Sequence, residues 1–62
     1  MPNLTTKELS FLKEQLIGEQ AEVAQYNLMA EQCQDAQLKS KLAGIASRHQ
    51  NHYDTLYQFL QN

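Results

Sequence analysis

Residues 38–59 read LKSKLAGIASRHQNHYDTLYQF, and an apolar or histidine side chain recurs there at every third or fourth position. The recurring positions are Leu38, Leu42, Ile45, His49, His52, Leu56 and Phe59. This alternation of three and four is the period of a helix that buries one side. Tyr53 and Leu60 widen the apolar side. The pattern therefore predicts a helix over residues 36–61, with Asp35 as its N-cap.

The first half of the chain carries the same period. Its series is Leu9, Leu12, Leu16, Val23, Tyr26, Ala30 and Cys33, with Glu19 at the one position that is charged. Thr5 and Glu8 have the spacing of a capping box, which predicts a helix over residues 6–33. Gln34 and Asp35 interrupt the pattern. A connection this short makes the two helices antiparallel neighbours.

The length of the chain predicts that one hairpin needs further support. Its 62 residues suffice for a single domain, residues 1–62, and a chain of this size buries only about 60% of its unfolded surface. Cys33 is the only cysteine, so no disulfide can form within the chain. A metal, a partner subunit or both remain as the source of that support. We therefore expect an all-α fold in which the antiparallel hairpin forms a homodimer, a ferritin-like four-helix bundle with two-fold symmetry.

Charge and composition argue against several classes of function. The net charge is −2 and no cluster of Lys and Arg occurs, so we expect no nucleic-acid partner. No apolar run approaches 18 residues, so we expect no membrane span. The N-terminus lacks a basic segment followed by an apolar run, which is the form of a signal peptide. The expectation is a soluble protein made in the cytoplasm.

Glu19, His49 and His52 are predicted to meet in one layer. Folding the hairpin about residues 34 and 35 places residue i opposite a residue near roughly 69 − i, so Glu19 reaches the level of both histidines. The histidines are three residues apart and share one side of their helix. Imidazole nitrogen and carboxylate oxygen suit iron, zinc or manganese. The pattern predicts a divalent-metal site, and a symmetric dimer would gather two Glu19 and four histidines.

Two interpretations of this layer remain open. Without a metal, a histidine can pair with Glu19, and the layer would fix register and partner orientation. Glu22, one turn after Glu19, is a further candidate ligand, as are Tyr26 and Tyr53, although packing is the usual role of a tyrosine at such positions. No catalytic residue is predicted, and the metal, if bound, need not support a reaction.

The residues of the layer resemble the half-bundle of rubrerythrin-type ferritin-like proteins. The similar segments are Gly18-Glu19 and Tyr26 on the first helix and Ile45-Ala46-x-x-His49-x-x-His52 on the second. The resemblance implies that Glu19 is a bridging carboxylate and His52 a histidine ligand. His49 stands where that family has Glu, which removes one anionic ligand from each half-site. The departure favours fewer ions, another metal or none over a di-iron oxidase.

In length the chain is similar to the Coat F (spore coat) domain. The resemblance covers nearly the whole chain: a ferritin-like hairpin, Tyr26 followed by Ala30 near the end of the first helix, a short polar turn, and a histidine in the second helix. It implies a structural component of the spore coat that assembles with itself or with other coat proteins, and no assigned reaction.

Overall fold

The fold of residues 3–61 is described by a computed structural model. Residues 1, 2 and 62 of the predicted domain lie outside the described part of the chain. Helix α1 spans Thr6–Gln32 and helix α2 spans Ala36–Tyr57. The two helices pack against each other along a body that extends 46 × 16 × 11 Å. The described residues contain no strand, so the all-α class and the helical hairpin are confirmed.

The predicted capping box opens α1. The Thr5 side chain accepts a hydrogen bond from the Glu8 backbone N–H at 3.0 Å, and the Glu8 carboxylate accepts one from the Thr5 backbone N–H at 2.9 Å. Two of the N–H groups that a helix start leaves without partners are satisfied in this way. At the other end, Cys33 has an extended backbone and caps α1. The helix therefore ends one residue before the predicted boundary.

The turn between the helices is held by side chains from both sides. The Asp35 carboxylate accepts a hydrogen bond from the Leu38 backbone N–H at 2.7 Å, which confirms Asp35 as the N-cap of α2. The Lys39 ammonium donates to the Ala30 carbonyl at 2.7 Å and so satisfies a carbonyl at the end of α1. Together these bonds fix the reversal that makes the helices antiparallel.

The end of α2 differs from the prediction. The α-helix stops at Tyr57, a short 3₁₀ helix spans Gln58–Leu60, and Gln61 is extended. Helices often tighten into a 3₁₀ turn at their last residues, where carbonyl groups lack partners one turn further on. Because Phe59 continues the apolar period, the pattern alone gave no sign of this change.

The core of a single hairpin is thin. The buried apolar side chains are Leu12, Leu16, Ala30 and Ala46. Several large apolar side chains are exposed: Phe11, Ile17, Leu28, Leu38, Tyr57, Phe59 and Leu60. In the described part of the chain, neither helix combines the length and the apolar character needed to cross a bilayer.

Candidate metal centre

Glu19, His49 and His52, here called the polar layer, lie together in the middle of the hairpin. The Glu19 Oε1 atom is 2.5 Å from His49 Nδ1, and its Oε2 atom is 3.3 Å from His52 Nδ1. One carboxylate therefore spans both imidazoles, with each oxygen on a different ring. The register predicted for these three residues is confirmed, because residues 30 and 33 positions apart in sequence are in contact.

The polar layer is graded in its exposure to solvent. The side chains of Glu19 and His49 are 17% and 26% exposed, whereas that of His52 is 59% exposed. The hydrogen bond from His49 lowers the pKa of Glu19, burial opposes this by favouring the neutral acid, and the charge of His52 lowers the pKa further. The pKa of Glu19 lies below its ordinary value, so its carboxylate is held in the anionic form that a metal ion requires.

The spacing of the three side chains is close to what one ion needs. One ligand atom from each residue lies within 4.8 Å of the others. Bond lengths of about 2.0–2.1 Å place two ligands of a tetrahedral ion about 3.3 Å apart. The Glu19–His52 distance is already 3.3 Å. The Glu19–His49 hydrogen bond of 2.5 Å would have to open by about 0.8 Å. Rotation of side chains suffices for such a change.

Two of the three further candidates lie beside the polar layer. The Glu22 carboxylate is 4.0 Å from His49 Nε2, and its side chain is 44% exposed. The Tyr26 ring stacks on the His49 ring, with centroids 5.7 Å apart and planes at 20°. This stacking holds the imidazole plane beside Glu19, a role that the sequence pattern did not reveal.

The third candidate, Tyr53, has its aromatic contact with another tyrosine and not with the polar layer. Its ring stacks on Tyr57 one turn later, with centroids 5.9 Å apart. It also borders a groove on the other side of the hairpin, together with Gln20 and Val23. These contacts give Tyr53 a packing role, and its role as a ligand stays a prediction from the sequence.

The polar layer opens toward one side of the hairpin, here called the open face. At the free end of the helices, this face carries an apolar groove. The groove is lined by Leu4, Glu8, Phe11, Leu12, Gln15, Leu56 and Phe59. Phe59 follows His52 by seven residues, and Glu22 follows Phe11 by eleven, so each pair lies on one side of its helix. The groove and the exposed edge of the polar layer therefore share the open face.

The predicted apolar series of α1 does not include Phe11. Phe11 stands one position before Leu12, off the predicted apolar series, and it is 55% exposed in the hairpin. The signal that could have found it is the extra apolar residue beside the series, which widens the apolar side of α1 toward the open face.

Comparison with protein-family models, with curated proteins and with solved structures found no match to this chain.

Proposed function

We propose that this chain is a structural, self-assembling protein, in which two hairpins pair through their open faces into a ferritin-like four-helix bundle and the polar layer holds a divalent metal ion. The observation that carries the metal part of the proposal is the single carboxylate of Glu19 spanning His49 and His52 at 2.5 and 3.3 Å. An oxygen and two imidazole nitrogens converge from two different helices. Such a donor set suits iron, zinc or manganese.

The thin core supports pairing of two copies. Phe11 and Phe59 are 55% and 46% exposed on the open face. Their rings would lose this contact with water if a second hairpin covered the face, and burial of apolar surface is the main force in association. The chemistry of a symmetric dimer also fits, because each hairpin would bring its own polar layer to the middle of the bundle.

The coordination of an ion by one hairpin would be incomplete. Glu19, His49 and His52 supply three ligands, whereas zinc takes four and octahedral ions take six. Water, Glu22 or the second hairpin would fill the rest. An ion there would link the middle of α1 to the middle of α2 and add stability through binding to the folded chain alone. The proposed role of the ion is structural.

A second candidate function is a coat-type bundle whose polar layer works without metal. The observation that favours it is that both oxygens of Glu19 already contact an imidazole, and no buried side-chain nitrogen or oxygen among residues 3–61 lacks a partner. The layer would then fix the register of the helices and the orientation of the partner. In this second candidate, the partners include other coat proteins, and the protein is located in the spore coat.

A redox bundle of rubrerythrin type is the less favoured alternative. His49 stands at the position where those proteins carry a glutamate, and its Nδ1 donates a hydrogen bond to the Glu19 carboxylate. A pair of ions would therefore have one carboxylate fewer in each half-site to balance their charge. A single structural ion needs less negative charge, and the donor set suits it better.

Native mass spectrometry of protein purified without chelator or a histidine tag tests the proposal. It counts subunits and bound ions in one experiment. The expected result is a dimer that carries metal, and a Glu19→Ala variant that has lost the ion. Glu14→Ala is the matched control, because Glu14 is an exposed glutamate five residues earlier in the same helix. Its metal content should equal that of the original protein.

The other outcomes separate the candidates. A dimer that carries no metal and takes up no added iron, zinc or manganese would leave the metal-free bundle as the function. Metal bound equally well by the Glu19→Ala variant would place the ion elsewhere. A chain that stays monomeric at every concentration would contradict the bundle itself.

A further inference from the structure

The outer side of α1 carries a second apolar series. It consists of Ile17, Ala21, Ala24 and Leu28, here called the outer stripe. The spacings are four, three and four, so the side chains line one side of the helix. Ile17 is 69% exposed and Leu28 is 53% exposed, and both alanines are also exposed. One hairpin leaves this stripe uncovered.

The outer stripe is distinct from the surfaces already described. The side of α1 that packs against α2 carries Leu12, Leu16 and Ala30, which are buried. Ile17 follows Phe11 by six positions, which places the two side chains about 120° apart around the helix axis, with Ile17 turned away from the open face. Pairing through the open face would therefore leave Ile17 and Leu28 in contact with water.

The outer stripe is complementary to itself when two copies run antiparallel. A two-fold axis midway between Ala21 and Ala24 pairs residue i with residue 45 − i of the other copy, since 17 + 28 and 21 + 24 both equal 45. Ile17 then meets Leu28 of the second copy, and Ala21 meets Ala24. Large side chains pack at both ends, and small ones in the middle let the helix axes approach closely.

The charges at the ends of the outer stripe match the same register. Lys13 and Glu31 lie on one edge of the stripe, since they are 18 residues or five full turns apart. The two-fold axis sets this edge against the same edge of the other copy, and Lys13 and Glu31 sum to 44, so the two residues lie within one residue of the same level, about 1.5 Å along the axis. Lys13 of one copy can therefore approach Glu31 of the other, twice in each dimer. On the other edge, Glu14 lies within one residue of the level of the uncharged Gln32, since the two sum to 46. The two symmetry-related Lys13–Glu31 pairs therefore each join opposite charges.

We propose that the outer stripe is a second self-association surface, through which α1 pairs antiparallel with α1 of another copy. The occupant is a second copy of this chain, because both the size pattern and the charge pattern repeat under one two-fold axis. The inference goes beyond the proposed bundle. With one interface at the open face and another at the outer stripe, copies join into assemblies larger than a dimer.

The outer-stripe interface is small. From Ile17 to Leu28 it runs along about 17 Å of helix at 1.5 Å per residue. A strip of that length and roughly the 10 Å width of a helix covers about 170 Å², well below the area of about 800 Å² that each partner buries in a standard stable interface. Association through the stripe should therefore depend on concentration and strengthen when many copies line up, as in a layer or filament.

Sedimentation velocity of four versions of the chain tests the proposal. The stripe variant carries Ile17→Lys with Leu28→Lys, and the open-face variant carries Phe11→Lys with Phe59→Lys. Lysine is a good helix former and all four positions are exposed, so each hairpin should still fold. The original chain should form species larger than a dimer at high concentration. Each variant alone should stop at a dimer, and the combined variant should be a monomer.

The outcomes distinguish the two interfaces. If the stripe variant sediments like the original chain, the outer-stripe interface is wrong while the proposed bundle stands. If the open-face variant instead sediments like the original chain, the proposed bundle is wrong and the outer stripe stands. An original chain that is monomeric throughout overturns both.

A charge exchange tests the register of the outer stripe. Lys13→Glu alone and Glu31→Lys alone each create two like-charge pairs, and each should weaken association through the stripe by about two- to thirtyfold. An equal mixture of the two variants restores both opposite-charge pairs and should recover the original association at low salt. Weakening without recovery in the mixture would overturn the antiparallel register.

Discussion

The middle of the hairpin and its free end differ in how far one chain satisfies their side chains. In the middle, Glu19, His49 and His52 satisfy one another within a single chain, through contacts of 2.5 and 3.3 Å. At the free end, Phe11 and Phe59 line a groove and remain about half exposed. The polar groups find their hydrogen-bond partners within one hairpin, whereas the apolar groups are not fully buried by it.

This difference separates what holds the hairpin together from what draws a partner to it. Hydrogen bonds between half-buried groups specify a register because they are directional, but they add little net stability. Apolar surface is not directional, yet its burial drives association. We therefore expect that changes at the free end alter association most, and that changes in the polar layer alter metal binding and register.

The largest effect is expected at the free end. Replacing Phe11 and Phe59 by serine removes two aromatic rings that are 55% and 46% exposed. Full burial of such a ring stabilises by about 1.5–3 kcal/mol. About half of each ring is already covered, and a symmetric dimer contains both residues twice, so four half-covered rings are lost. Dimerisation should therefore weaken by about 3–6 kcal/mol, or roughly 150- to 25,000-fold. Sedimentation equilibrium measures the association constant directly.

Tyr57→Ser is a control for this pair. Tyr57 is 42% exposed, but it stacks on Tyr53 away from the open face. It should lower the stability of the hairpin and leave the association of folded chains nearly unchanged. Equal losses of association in both variants would show that the open face is no more important to pairing than the opposite side.

In the polar layer, by contrast with the free end, we expect a substitution that leaves the protein as stable as before or makes it more stable. Replacing Glu19, His49 and His52 together by leucine gives apolar residues that can pack, and such replacements are often neutral or stabilising. The thermal midpoint of metal-free protein should stay the same or rise. Replacing only the two histidines leaves the Glu19 carboxylate half-buried without partners, so that variant should be less stable than the triple one.

Circular dichroism during heating, with a chelator present, checks this pair of variants. A triple variant clearly less stable than the original chain would mean that the polar layer supplies stability as well as register. Repeating the measurement with added metal sharpens the result, because only the original chain should gain stability from the ion.

Much of the hairpin could be predicted because its signals are local or periodic. The capping box of Thr5 and Glu8 and the N-cap Asp35 lie within a few residues of their partners. The turn then fixed the register, which brought Glu19 to His49 and His52 across 30 residues of sequence. One short connection between two long helices allows few alternative registers.

The remaining features depend on side-chain orientation, which a periodic pattern does not encode. Tyr26 and Tyr53 were equal candidates by position, yet Tyr26 stacks on His49 and Tyr53 on Tyr57. The tightening of the chain after Tyr57 was also missed, because the apolar spacing continues through Phe59. Which side chains are exposed depends on both helices at once, and so could not be assigned from either series alone.

Gly18 and Gly44 offer a smaller and more local comparison. A Cβ atom added at either glycine meets no atom within 4 Å in the single hairpin. Alanine in a helix is favoured over glycine by up to about 1 kcal/mol, so Gly44→Ala should stabilise the hairpin by about that amount. Gly18 lies one turn before Glu22, on the edge of the open face. In a dimer its added methyl group would meet the second hairpin.

Urea unfolding of the two glycine variants at low and high protein concentration separates these contributions. At low concentration, both variants should gain similar stability. At high concentration, Gly18→Ala should gain less than Gly44→Ala, because closer approach of the second copy is obstructed. Equal gains at every concentration would remove Gly18 from the interface.

The smallest effect is expected at the start of α1, where Glu8 reports on acid stability. The Thr5 backbone N–H, and with it the Thr5 side chain, holds the pKa of Glu8 below its ordinary value of 4.5. Because the folded state has the lower pKa, the contribution of Glu8 to the free energy of unfolding is fully present above pH 4.5 and is lost as the pH falls through the folded pKa.

Glu8→Gln keeps a side-chain oxygen that can accept the capping bond, but it does not titrate. Urea unfolding at a series of pH values should show the original chain ahead of the variant near neutral pH. That lead should shrink in acid, and since Glu19 is common to both proteins, its own titration cancels in the difference. A lead that stays constant down to strong acid would mean that the charge of Glu8 contributes nothing to the cap.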